Sequence, residues 1–297
     1  MSNKKLVGTG VALVTPFHSD KNIDFIALIK LVNHVIDGGV DFVVALGTTA
    51  EAATMNIDEK HAVVDTIYET VAGRVALVVG AGGNNTQAVV DNLKILDSSK
   101  IDGLLSVSPY YNKPNQRGIY EHFKEIAMST SLPIILYNIP GRTASNMTAD
   151  TILKLGADFD NIVAVKEASG NMSQIMEIIK DKPEGFSVFS GDDALTLPIL
   201  SVGGDGVISV VANAYPKTMS AMVNSMTQGG DRYAALRDHY QMLDVINALF
   251  LDGNPAGIKA LLEIMGILKN NLRLPLVKVD KLVFNKLKQL HEKLNLS

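Results

Sequence analysis

Cysteine is missing from all 297 residues, which excludes disulfides, thiolate metal sites and a cysteine nucleophile. A reducing compartment is compatible with that absence. A basic stripe is missing too. The 27 Lys and Arg stand against 31 Asp and Glu, for a net charge of −4, which argues against nucleic acid as a partner. No apolar run approaches the roughly 18 residues of a membrane span. Met1–Thr9 carries two lysines but no apolar stretch of signal-peptide length. The expectation is a cytoplasmic protein with no membrane partner. Metal-spaced histidines are absent as well: His18, His34, His61, His122, His239 and His291 form no such pair, and most fall in helical patterns. No low-complexity segment or Pro/Ser-rich linker interrupts the chain.

What is present is apolar residue in short bursts. The chain is 47% hydrophobic, with a mean hydropathy of +0.18, enough to bury a large core. The bursts are Gly10–Thr15, Phe42–Leu46, Val75–Val79, Gly103–Val107, Pro133–Tyr137, Ile162–Lys166, Phe186–Ser190 and Gly206–Val210. Each is followed by a small-residue loop and then, as in Asp24–Asp37, Asp58–Val71 and Thr86–Leu96, by apolar residues at helical spacing. Near-continuous apolar strands alternating with helices mean a parallel sheet covered by helices. Eight such units predict an α/β fold, a (β/α)₈ TIM barrel, over a doubly wound sheet, which has fewer strands and less regularity. After Asn213 only helices follow: Tyr215–Thr227, Tyr233–Phe250, Ala256–Leu268 and Asp280–Leu294. Residues 1–230 then form the barrel and 231–297 a C-terminal helical extension packed on it, as one continuous unit.

Barrel enzymes carry their chemistry at the C-terminal ends of the strands. One such end is unusual: Ile162-Val163-Ala164-Val165-Lys166 places a lysine in a buried run. Burial disfavours the charged form of an amine, and a neutral amine adds to ketones to give a Schiff base. The plain alternative is a strand-end lysine paired with a carboxylate such as Glu167. Tyr137 ends the preceding strand, so its phenol comes within reach of the lysine and can shuttle protons, or it fills the barrel top. Gly47-Thr48-Thr49 offers two hydroxyls and two successive N–H groups, a nest for a small carboxylate or a simple helix-capping turn. Arg142, after a Pro-Gly turn, suits a second carboxylate or a surface ion pair. Tyr110-Tyr111 sits in a Pro-bounded loop as a stacking surface or an interface anchor. Gly80-Ala81-Gly82-Gly83 lacks the full phosphate-binding patterns and reads as a tight turn with close backbone approach. Asp192-Asp193 offers two carboxylates to a cation, but such loop pairs are common, and no metal and no cofactor are expected.

Taken together, Gly47-Thr48-Thr49 with Glu51, Tyr137 to Thr143, and Val165 to Gly170 resemble the dihydrodipicolinate synthase / N-acetylneuraminate lyase family of class I pyruvate aldolases, over almost the whole chain. Thr48 and the Pro-Gly-Arg-Thr run point to its synthase branch. The resemblance implies two substrates, pyruvate and aspartate 4-semialdehyde, and a place in lysine and diaminopimelate biosynthesis. It implies Lys166 as the imine-forming residue and Tyr137, Thr48 and Tyr111 as a hydroxyl relay. Thr49 would hold the pyruvate carboxylate, Arg142 the semialdehyde carboxylate, and Gly191 and Ile208 would line the pocket. Tyr111 would reach into a neighbouring subunit, making a tight dimer, commonly paired into a homotetramer. The alternatives are another pyruvate aldolase, acting on N-acetylneuraminate or a 2-keto-3-deoxy sugar acid, and a non-catalytic binding barrel.

Two departures stand out. Ala50 replaces the family's glycine, which strains the turn only if that position needs φ > 0. The positions matching a lysine feedback cleft are Ala52, Ala53, Ile57, Lys60, Asn84, Ala88 and Tyr110. In lysine-sensitive members a Ser, two His and a Glu stand at positions 52, 57, 60 and 88. Here Ala88 removes a carboxylate and Lys60 adds a like charge, so lysine inhibition is expected to be weak or absent.

Overall fold

Strands buried on both faces need a partner on each edge, and eight of them satisfy one another by closing into a ring. In the computed structural model, which describes residues 6–295, they do so in chain order, all parallel. They are β1 (Gly8–Ala12), β2 (Phe42–Ala45), β3 (Ala76–Gly80), β4 (Gly103–Val107), β5 (Ile134–Asn138), β6 (Ile162–Glu167), β7 (Ser187–Ser190) and β8 (Gly206–Ser209). The N-terminal reading over Met1–Thr9 falls largely on residues 1–5, which lie outside those described, as do 296 and 297. Among the described residues no helix is long and apolar enough to cross a membrane.

The expected (β/α)₈ barrel is therefore present, with one strand displaced. β1 begins two residues earlier than its apolar run and stops before Leu13. Ring closure explains the shift: Gly8 pairs with Gly206, where a Cβ would lie 2.0 Å from the Gly8 carbonyl oxygen. Val14 is apolar because it is buried outside the sheet, its N–H donating to Asn213 Oδ1 at 3.2 Å.

Side chains alternate between two cores. Phe42, Val44, Ala76, Val78, Ile135, Tyr137, Ala164, Phe189 and Ile208 fill the barrel interior. Val43, Ala45, Leu77, Val79, Leu136 and Val165 face the helices outside. The helix Phe25–Asp37 shows how the outer layer is set. Asp24 caps it by accepting from Ala27 N at 2.9 Å, and its face of Leu28, Leu31, Val32 and Val35 is fully buried. Ile57–Val71 starts with a reciprocal capping box between Asn56 and Glu59.

One irregularity decides the geometry of the site. β5 and β6 pair Ile134 with Ile162 but Ile135 with Ala164, so Val163 is an extra residue. Counting by twos from the outward Ile162 would put Lys166 outside the barrel. The bulge restarts the count at the inward Ala164, so Lys166 points inward, in register with Tyr137.

Beyond β8 the helices are Pro216–Thr227, Arg232–Leu249, Ala256–Ile264 and Lys281–Asn295. The last packs on the two before it, and Tyr215 Oη lies 2.7 Å from His291 Nδ1.

Buried between the helices Thr86–Ile95 and Gln116–Met128, His122 lies 2.8 Å by its Nδ1 from Thr86 Oγ1, and its Nε2 has no partner among the described residues. Burial pushes its pKa down to about 4. Below an ordinary histidine pKa of about 6.5 the unfolded chain binds a proton that the fold refuses until about pH 4, so stability falls as pH falls through that window. The loss between pH 7 and pH 5 is expected to be about 2 kcal/mol larger in the wild type than in His122→Gln. Denaturant melts at the two pH values measure it; equal losses would assign the acid sensitivity elsewhere.

Candidate active site

At the C-terminal end of the ring, Lys166 is 3% exposed and its Nζ lies 4.3 Å from the centroid of the Tyr137 ring. Among the described residues no carboxylate lies within 4 Å of that nitrogen. The plain alternative, a pair with Glu167, does not occur, because Glu167 is on the other face of β6. There, fully buried, it accepts from Asn138 Nδ2 at 2.7 Å, Gln174 Nε2 at 2.8 Å and Ser169 N at 3.1 Å. Asn138 also donates to Asn146 Oδ1 at 2.8 Å and accepts from Met147 N at 3.0 Å. This network ties the ends of β5 and β6 together behind the lysine and fixes the Tyr137–Lys166 pair from outside.

Gly191 is required by the same lysine. A Cβ there would lie 3.0 Å from Lys166 Cε and Cγ and 2.8 Å from Ala168 Cβ. Ile208 sits in the interior core with Tyr137. Asp192 accepts from Ala194 N, and buried Asp193 accepts through Oδ2 from Val210 N and Val211 N, while its Oδ1 has no partner among the described residues. Burial raises the Asp193 pKa against those hydrogen bonds.

The mouth of the barrel opens into a cavity of about 620 Å³, whose wall includes Thr48, Tyr137 and Arg142. Lys166 lies against the Tyr137 ring, just behind that wall. Thr48-Thr49-Ala50 forms one 3₁₀ turn, with Ala50 N donating to Gly47 O at 3.1 Å. As the first residues of the turn, Thr48 and Thr49 have N–H groups with no partner among the described residues. Ala50 is not left-handed, so its methyl adds no backbone strain; the left-handed residue is Glu51, at φ 57°. Gly80 lets β3 approach this loop, since a Cβ there would lie 2.2 Å from Leu46 O. The cavity continues past Ala52, Ala53, Ile57, Lys60 and Tyr110, while Asn84 and Ala88 are not on its wall. Tyr111 is not brought to the site by its own chain. It is 89% exposed at φ 72°, with Asn112 N bonded back to Tyr110 O around it.

A model of the dihydrodipicolinate synthetase family matches residues 5–294. The chain belongs to that family. It is 47% identical over 296 residues to the 4-hydroxy-tetrahydrodipicolinate synthase of Parabacteroides distasonis, covering 100% of this chain and 99% of that one. It is 51% identical over 281 residues to the enzyme of the same name from Flavobacterium psychrophilum, covering 95% and 96%. Its fold is similar to the crystal structure of dihydrodipicolinate synthase from Aquifex aeolicus, with a TM-score of 0.94, 40% identity and 98% and 99% coverage.

Three residues of this family member escaped the motifs, and all come from the extension. Asn254 Nδ2 donates to Thr49 Oγ1 at 2.8 Å, and its carbonyl accepts from Arg142 Nη2 at 2.9 Å. Lys259 is fully buried, donates to Glu51 Oε1 and to Asn271 O at 2.8 Å, and lies 4.3 Å from the Phe17 ring centroid. Burial lowers its pKa to about 8 against the opposing pull of Glu51. Arg273 donates its backbone N–H to Glu51 Oε2 at 2.9 Å and pairs through its guanidinium with Glu59. That pairing holds the Glu59 carboxyl below its usual range. A left-handed backbone at a residue other than glycine costs roughly 1–2 kcal/mol, and Glu51 is held in it by both carboxylate oxygens. Lys259→Met leaves a buried carboxylate unpaired and is expected to cost about 3–5 kcal/mol. Adding Glu51→Gln is expected to recover most of that loss in urea titrations. No recovery would mean the charges themselves are not what the pairing balances.

Proposed function

We propose that the chain condenses pyruvate with L-aspartate 4-semialdehyde through a lysine Schiff base, the 4-hydroxy-tetrahydrodipicolinate synthase reaction of lysine and diaminopimelate biosynthesis. The observation that carries it is Lys166: buried, without a carboxylate, and against the Tyr137 ring in a chain of this family. Its amine attacks C2 of pyruvate, the C–N bond forms, and the ketone oxygen leaves as water. The resulting iminium draws electrons from the methyl carbon, which loses a proton to give the enamine. The enamine carbon attacks the aldehyde carbon of the semialdehyde, and the alkoxide takes up a proton. The substrate's own amine then attacks the imine carbon, closes the ring and releases the Lys166 nitrogen.

Tyr137 and Thr48, both on the cavity wall, move protons to and from the imine and the new alcohol. The free N–H groups of Thr48 and Thr49 receive the pyruvate carboxylate, and Arg142 at the mouth receives that of the semialdehyde. Gly191 and Ile208 shape the space around the imine. No cofactor or metal takes part. A second copy of the chain completes the relay with its Tyr111. Burying that side chain across an interface accounts for a tyrosine held 89% exposed on a left-handed backbone. The assembly is a homotetramer built of tight dimers, in the cytoplasm. Residues 231–297 belong to the catalytic unit, since they supply Asn254 and Lys259.

Product formation from pyruvate with aspartate 4-semialdehyde is tested beside pyruvate with N-acetylmannosamine. Turnover with the semialdehyde alone is expected, and Arg142→Ala is expected to raise the apparent KM for the aldehyde about tenfold or more, the loss of a charge-assisted pair of about 1.5–3 kcal/mol. Turnover with the sugar would move the chain to the aldolase branch of the family. With Ala52, Ile57, Lys60 and Ala88 at the positions that match the lysine cleft, millimolar lysine is expected to leave the rate unchanged. Inhibition at that concentration, with lysine bound in the cleft, would contradict this.

A further inference from the structure

The carboxylate-binding turn at Thr48-Thr49 is not held by its own strand alone. Its hydroxyl side is tied to Asn254, and the residue after the turn, Glu51, is tied to Lys259 and to the backbone of Arg273. All three ties come from one stretch of the C-terminal extension, more than 200 residues away in sequence. Lys259 and Glu51 are both fully shielded from solvent, so their geometry is fixed by packing on every side. Glu51 is left-handed, a conformation that persists only where the surroundings over-determine it. Released from its partners, Glu51 falls back to negative φ, and the peptide planes of the turn rotate with it.

We propose that Lys259 and Asn254 are positioning residues for pyruvate: from behind, they hold the Thr48–Glu51 turn in the shape that presents its two free N–H groups to the substrate carboxylate. The inference rests on the reaction proposed above. Neither residue touches the reacting carbons. The pyruvate carboxylate keeps its charge from the bound substrate to the transition state, so its binding is felt alike in both. Weakening it therefore raises KM for pyruvate and leaves kcat nearly unchanged. Arg142 is held by the Asn254 carbonyl, which side-chain substitution leaves in place, so the semialdehyde KM stays as it is.

Two variants test this. The double substitution Glu51→Gln with Lys259→Met removes both buried charges together, and Asn254→Ala removes the tie to Thr49 at a half-buried loop position. Each is measured for urea stability, for kcat, and for KM with pyruvate and with aspartate 4-semialdehyde. The expected result is a stably folded protein whose KM for pyruvate rises about tenfold, with kcat within about twofold and the semialdehyde KM unchanged. Folded variants with a wild-type pyruvate KM would overturn the proposal and leave the pair a purely structural one. If the double variant does not fold, Asn254→Ala decides by the same criterion. A wild-type protein that turns over no pyruvate would overturn the reaction itself, and this inference with it.

Discussion

Between Ile162 and Ala164, β6 carries one residue more than β5 beside it, and that surplus turns Lys166 into the barrel. In a strand the faces alternate strictly, so a register without the bulge would send Lys166 toward the helices and bring Glu167 inside. The consequences spread from there. Inside, the lysine meets the Tyr137 ring rather than a carboxylate, and Gly191 has no side chain because the lysine's methylenes occupy that space. Outside, Glu167 is satisfied by amide donors from Asn138 and Gln174, which draw β5, β6 and the helix Met172–Asp181 together. The two adjacent charged residues are thus separated by the sheet, and neither neutralises the other.

The second constraint comes from the far end of the chain. A barrel loop on its own is a poor support for a binding site, because its backbone is tied at two ends only. Here the extension adds ties at Thr49, Glu51, Glu59 and Arg142. It thereby makes the loop after β2 part of a buried charge network, with Lys259 and Arg273 both stacked on Phe17. Sites held by such a second layer keep their geometry better than sites on free loops.

The eight strands are readable because strands buried on both faces leave short apolar runs, and here these recur at regular intervals with a helical pattern in each gap. The run Gly10–Thr15 does not locate β1, since apolar Leu13 and Val14 are buried past its end, Leu13 N donating to Val44 O of β2 and Val14 N to Asn213 Oδ1 after β8, a burial that periodicity alone does not separate from a strand. Lys166 was readable as a lone cation in an apolar run. The same signal stands at Lys259, within Ile258-Lys259-Ala260-Leu261-Leu262, and was lost there because the run lies in the helical half of the chain, away from any strand end. Asn254 leaves no signal at all: a polar residue in a loop is the ordinary case, and its partners are distant in sequence. The bulge at Val163 is equally silent, since a β-branched residue suits either register. The roles at Thr48, Tyr137 and Arg142 came from family resemblance more than from the residues themselves, each of which has a commonplace reading alone.

The proposed chemistry stands on Lys166 as the nucleophile. Incubating the protein with pyruvate, reducing with borohydride and mapping the modified peptide tests it most directly. A single adduct of fixed mass on Lys166 is expected, absent when either pyruvate or borohydride is left out and absent from Lys166→Ala. An unmodified protein, or an adduct on buried Lys259, would contradict it.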